Sequence, residues 1–223
     1  MPLIMISGLS SFLAPEIALA ALIVPTVVSN IWQSFRNGTV AAVNAVAKHW
    51  VFILFLCFFV GVGSELASHL PRKSFFMILG CLVSGFACLQ LLGITPTIQQ
   101  HQKRRAEVML GSLAGCFGGI SGIWGPPTVA YLTALETHKS ESTKVQGVIY
   151  GAGSLVLLTS HLKTGLLGGG TLVLSFSMIL PALAGMAIGM QIQDRLNQDK
   201  FRRATLFVLI LAGANLIRRG LLE

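Results

Sequence analysis

Apolar runs of about twenty residues recur along this sequence, and about twenty apolar residues are what an α-helix needs to cross a bilayer core. They cover residues 15–35, 47–70, 75–93, 143–162, 171–193 and 201–217, each bounded by a short polar turn. A further apolar stretch, 108–135, is too long for one straight span. Only 11% of the 223 residues are charged and the mean hydropathy is +0.75, against roughly 25% charged in an average soluble domain. An ordinary water-soluble globule is therefore excluded, and the expected fold is an all-α, polytopic membrane bundle.

The net charge of +8, from 16 Lys and Arg against 8 Asp and Glu, does not point to nucleic acid. Basic residues sit singly, in pairs or in one run of three between apolar runs, where they set topology and meet lipid headgroups. The four cysteines, Cys57, Cys81, Cys88 and Cys116, lie inside apolar segments with no CxxC pair and no His at ligand spacing. Neither a disulfide framework, a metal site nor a cofactor is expected. The opening residues lack a basic n-region and a small-residue cleavage site, so a cleavable signal peptide is not expected either.

Shifting the first half by 126 residues lays Gly63, Leu70 and Phe75 on Gly189, Leu196 and Phe201, and brings helix boundaries into coincidence along the whole shift. This predicts two four-helix repeats, residues 1–94 and 105–223, joined by a loop at 95–104. Met1 and Pro2 fall on Pro127 and Thr128, so the first repeat is expected to be incomplete at its N-terminus and the chain truncated or started internally. Four helices per repeat give both repeats the same orientation. If every apolar stretch crosses, one face collects Arg72, Lys73, Lys139, Lys144, Arg195, Lys200, Arg202 and Arg203, and the other Arg36, Lys48, Lys103, Arg104, Arg105, Lys163, Arg218 and Arg219. An equal division leaves the orientation open.

Gly118 to Pro127 carries the most information about function. Two adjacent prolines and four glycines in ten residues predict a broken, re-entrant-like helix. Non-helical backbone at membrane depth is tolerated only inside protein or along a wet cavity. A helix beginning at Pro126 and Pro127 presents the positive end of its dipole, which predicts an anion site at Ser121, Gly122, Trp124, Gly125, Pro126, Pro127 and Thr128. The bland alternative is a kink whose glycines serve close packing. Ser121 is read as an oxyanion donor or a helix cap, and Trp124 as a gate or an aromatic-belt residue.

Two polar stripes flank the break. Thr26, Ser29, Gln33 and Arg36 recur at steps of three and four, with Asn30 beside them, and Gln146, Tyr150, Ser154 and His161 repeat the pattern in the second half. Such stripes should not face lipid. They predict a pathway, with interhelical hydrogen bonding as the alternative. Arg36 and His161 are candidates at its mouth, Lys163 reads as a snorkelling cation, and Glu65 as a solvated end charge. Gly119-Ile120-Ser121-Gly122 also fits the GxSG of rhomboid intramembrane proteases, with His161 as a base, but a glycine-rich, duplicated chain argues against catalysis.

The glycine-rich break ending in Gly125-Pro126-Pro127, the A-I-G-M-x-I-x-x-R-L run from Ala187 to Leu196, Phe201-Arg202 and the closing Leu-Ala-Gly-Ala-Asn-Leu-Ile together resemble the TauE/SafE family of sulfite exporters. The resemblance implies a secondary carrier of the cytoplasmic membrane that moves sulfite or an organosulfonate such as sulfoacetate. The expected mechanism is alternating access about a site between the breaks, coupled to a proton or the membrane potential, and a homo-oligomer is the expected assembly to test. An anion channel is the alternative. Alanine at Ser121 and Gln33 is expected to weaken transport without loss of fold.

Overall fold

The computed structural model describes residues 5, 8–9, 12–36, 38–92, 98–137, 139–193 and 198–222, most of them helical and none of them in a strand. Most of the opening segment 3–13, Asn37, the start of the 95–104 loop, and Arg195 and Leu196 of the family-like run lie outside the described residues. Among the described residues nine α-helices follow in order: α1 Pro15–Phe35, α2 Thr39–His69, α3 Arg72–Leu91, α4 Lys103–Ser121, α5 Gly125–Ala134, α6 Lys139–Lys163, α7 Gly170–Ser177, α8 Ile179–Gln193 and α9 Gln198–Leu222. Among the described residues, Glu16–Phe35, Thr39–His69, Lys73–Leu91, Glu141–Lys163 and Gly170–Ile188 are long and apolar enough to cross a membrane. The chain is an all-α, multi-pass membrane protein.

The backbone divides into two compact units. One comprises Met1–Pro25, His69–Ile94 and Gly169–Glu223; the other comprises Thr26–Ser68 and Thr95–Gly168. We call them the outer-sequence unit and the inner-sequence unit.

In the outer-sequence unit, α3 and α9 pack along their length through glycines. A Cβ on Gly80 would lie 2.8 Å from the Gly213 carbonyl oxygen and 2.9 Å from the Ile217 nitrogen, so only glycine allows this approach. Pro25 lies inside α1 without ending it. A proline has no N–H to offer the carbonyl four residues back, which here is that of Ala21. The Ser175 hydroxyl of α7 donates to that carbonyl at 3.4 Å and accepts from the Val24 N–H at 3.0 Å. One buried serine thus satisfies the backbone that the proline disturbs.

In the inner-sequence unit, α2 and α4 are held together by glycines one turn apart. Cβ atoms added at Gly111 and Gly115 would lie 2.8 and 2.5 Å from the carbonyl oxygens of Phe52 and Leu56, and one at Gly119 would collide with that of Val60. The steps of four on both helices make a continuous small-residue seam.

Three expectations change. The span expected at 47–70 begins at Thr39, because the positive φ of Gly38 ends the preceding turn and 39–46 are adequate helix formers. His49 then interrupts it with non-helical φ and ψ of −123° and 24°. The span expected at 171–193 is divided at Met178 into α7 and α8, so 108–135 does not carry the only interruption. The break itself is shorter than Gly118–Pro127. Helix α4 continues through Ser121, stops at Gly122 in the left-handed conformation (φ 71°), and α5 starts at Gly125.

The chain also reverses at that break. The Ile98 N–H donates to the Ala134 carbonyl at 3.1 Å, and Tyr131 in α5 reaches Glu107 near the start of α4 at 3.0 Å. Had α5 continued in the direction of α4, those side chains would be separated by roughly 1.5 Å for each intervening residue. The pair is therefore a hairpin that enters and leaves at one end, and alternation of loops fails here. Lys48 and Glu141, which alternation sends to opposite faces, form an ion pair at 2.7 Å.

Candidate functional site

The tip of the hairpin is built by glycines that admit a tryptophan. Trp124, 1% exposed, packs on Gly118, where a Cβ would lie 2.7 Å from its ring, and its ring also faces Gly153 of α6. So deep a burial places it in neither an aromatic belt nor at an open mouth. It fills the turn, and Gly118 and Gly153 leave room for its ring.

Beyond the tryptophan the α5 N-terminus is exposed in part. Pro126 and Pro127 have no N–H, and Thr128 donates its own back to the Trp124 carbonyl at 3.3 Å. Gly125 is therefore the only one of the first three helical positions with an amide proton to offer, alongside the positive dipole end, equivalent to roughly half a charge. A Cβ at Gly125 would sit 3.4 Å from the Tyr150 hydroxyl, so that phenol stands against the helix end. The Tyr150 and Trp124 rings lie 6.3 Å apart.

The two polar stripes meet on each other. Asn30 Nδ2 donates to the Tyr150 carbonyl at 3.3 Å, and the Ser34 hydroxyl lies 2.7 Å from the carbonyls of both Asn30 and Gly147. A Cβ at Gly147 would lie 2.9 Å from the Gln33 carbonyl oxygen, so α1 and α6 approach through small residues here. This is the interhelical bonding that the sequence left as the alternative for part of the stripe.

Donor accounting then separates the expected residues, since each hydroxyl has one proton. Ser29 donates to the Thr26 carbonyl, Ser121 to Phe117, Ser154 to Gly151 and Thr128 to Trp124, at 3.1, 2.7, 2.9 and 2.8 Å. These four are committed to their own helices. Gln33 is half-buried beside the α1–α6 seam. Arg36 is exposed and stacks its guanidinium 5.6 Å from the Trp32 ring centroid, away from the hairpin tip.

His161 is fully buried against the Gly119 backbone, and neither ring nitrogen makes a well-aligned hydrogen bond. It is eleven residues from Tyr150 on α6, about 16 Å of helix rise, so it does not join the group at Gly125. Ser121 donates to the Phe117 carbonyl and the imidazole meets the Gly119 backbone, so the two form no serine–histidine pair.

Three residues that sequence reasoning missed form a buried chain at the other end of α5: His49, Tyr131 and Glu107. The signal available was a carboxylate and an imidazole each just inside the polar edge of an apolar run.

No curated protein and no solved structure matches this chain. The family described as Sulfite exporter TauE/SafE matches residues 1–216, nearly the whole chain. Multi-pass apolar helices suit a family of exporters, whose work is transport of small anions rather than catalysis. The chain belongs to the TauE/SafE family of sulfite exporters.

Proposed function

We propose that this chain is a secondary carrier of the cytoplasmic membrane that moves sulfite or an organosulfonate by alternating access. The observation that carries the reading is the partial exposure of the α5 N-terminus with the Tyr150 hydroxyl set against Gly125. A dipole end, one amide and one phenol offer donors to an oxyanion while the surrounding serines stay committed. Buried His161 on the same helix, against the Gly119 backbone, extends the polar line along α6.

Two four-helix repeats, 1–94 and 105–223, are part of the proposal. It is supported by the starts of α3 at Arg72 and α9 at Gln198, which differ by the same 126 residues as the sequence shift. The hairpin also bears on orientation. With both its ends on one side, the inner-sequence unit carries Arg36, Lys48, Lys103, Arg104, Arg105, Lys139 and Lys144 toward one end and Lys163 toward the other. An excess of Lys and Arg marks the cytoplasmic side.

The test is a ligand-dependent rise in Tm of the purified protein in detergent with sulfite, sulfoacetate and sulfate. A hydrogen bond to a charged group contributes about 1.5–3 kcal/mol, so Tyr150→Phe should weaken sulfoacetate binding roughly 10- to 100-fold with the fold retained. Equal affinity in wild type and Tyr150→Phe would remove Tyr150 from the site. Saturable uptake with countertransport in proteoliposomes separates a carrier from a channel.

A further inference from the structure

At the end of α5 away from Gly125, Tyr131 links two buried ionisable side chains. His49 Nδ1 and the Tyr131 hydroxyl are 2.7 Å apart, and that hydroxyl donates to Glu107 Oε1 at 3.0 Å. His49 and Glu107 are each 1% exposed and Tyr131 not at all. The phenol ring is fixed by stacking on Phe52, centroids 4.5 Å apart, and His49 stands where α2 departs from helical geometry. The charges around the chain come from every neighbouring helix. Lys103 and Arg104 of α4 approach Glu107 at 3.8 and 3.3 Å. Lys48 of α2 pairs with Glu141 of α6, which Lys144 also faces.

Proton positions follow from the count of donors. Tyr131 has one hydroxyl proton, and it points to Glu107. The His49–Tyr131 bond must then be made by the imidazole Nδ1–H, which leaves Nε2 with a lone pair. That Nε2 is buried and has no partner. The chain ends in an empty proton acceptor.

We propose that His49, Tyr131 and Glu107 form a proton-carrying chain that couples proton uptake to anion binding at the α5 N-terminus. This rests on the anion-carrier reading given above. A proton bonds to His49 Nε2; the Nδ1 proton passes to the Tyr131 oxygen as the phenol's own proton passes to Glu107 Oε1. The product is a neutral Glu107, a Tyr131 hydroxyl now donating back to Nδ1, and a neutral His49 protonated at Nε2. One proton enters, each transferred proton leaves one atom for the next, and the net charge rises by one. Lys103 and Arg104 lose their counter-charge, and the hairpin becomes more positive six residues, about 9 Å of helix, from Gly125. A more positive hairpin binds an anion better, and by reciprocity the anion draws in the proton.

The test adds sulfoacetate, which has no group titrating near neutral pH, to the purified full chain in weakly buffered detergent with a pH dye, and reads Tm in parallel. Wild type should take up a proton as the anion binds. Tyr131→Phe keeps the ring on Phe52 and should keep the sulfoacetate-dependent rise in Tm while losing the proton uptake. His49→Gln reads the same step from the other end of the chain where Tyr131→Phe does not purify. Sulfoacetate binding to wild type without proton uptake overturns the coupling and leaves the anion site standing. So does a Tyr131→Phe variant that loses Tm but still takes up the proton, which would make the triad a structural clamp. Absence of any sulfoacetate effect on wild type removes the anion-carrier reading, and the coupling with it.

Discussion

The two compact units differ in what they bury. Among the described residues, the inner-sequence unit encloses Thr26, Asn30, His49, Ser64, Glu107, Ser121, Thr128, Ser154 and His161, whereas Ser175 is the buried polar residue of the outer-sequence unit. Both units use glycine seams to bring helices close, so close packing does not separate them. Buried polar chemistry does. Ser175 serves the backbone around Pro25, and its hydrogen bonds are complete. In the inner-sequence unit His49 Nε2 is buried with no partner, and an unsatisfied buried polar atom costs about 1–3 kcal/mol. The outer-sequence unit leaves the Ser84 hydroxyl buried in the same way, so among the described residues the units differ in that the buried ionisable side chains, His49, Glu107 and His161, all lie in the inner-sequence unit.

The largest effect that tests this division comes from the seams. Alanine at Gly115 would place its Cβ 2.5 Å from the Leu56 carbonyl oxygen, and at Gly80 2.8 Å from that of Gly213. Backbone cannot yield as a side-chain end can, and overpacking of this kind costs about 1–3 kcal/mol. Both variants should lower Tm. Only Gly115→Ala, which pushes the hairpin off α2, should also weaken sulfoacetate binding per folded molecule. An equal loss of affinity in both would end the separation of a working unit from a supporting one.

The α1 proline gives the next test. Ser175→Ala leaves the Ala21 carbonyl and the Val24 N–H without their shared partner, a loss of about 1–3 kcal/mol. Thermal unfolding should show that loss, and sulfoacetate affinity should stay as in wild type. Altered affinity would mean that the outer-sequence unit takes part in binding.

How far these features were legible in the sequence depends on what each leaves in a linear pattern. Spans leave a run of apolar residues, and a helix stop leaves Gly122 and two prolines, so both could be read. Direction leaves nothing. Residues 108–135 read equally well as a kinked crossing or a hairpin, and only the contacts of Ile98 with Ala134 and of Tyr131 with Glu107 decide it. The polar stripes were visible at their helical spacing, but not that Asn30 would bond the Tyr150 backbone. Glu107 looked like the tail of a basic loop and Tyr131 like one more residue of an apolar run. Their chemistry exists only once the hairpin folds.

Ser121 carries the smallest expected effect and the sharpest contrast with the sequence pattern. Its place in Gly119-Ile120-Ser121-Gly122, beside a helix break, makes it the obvious oxyanion donor or nucleophile. In the structure its proton goes to the Phe117 carbonyl of its own helix at 2.7 Å, a bond of the kind that serines inside helices make and that adds little stability. Ser121→Ala removes that bond and opens no acceptor to lipid. Tm and sulfoacetate affinity should each change by no more than about 0.5 kcal/mol, near twofold in affinity. Tyr150→Phe, one helix away, should lose at least several times more. A Ser121→Ala variant as weak as Tyr150→Phe would show that the hydroxyl turns from Phe117 to the anion on binding, and would move the site from the α5 end back into the turn of the hairpin.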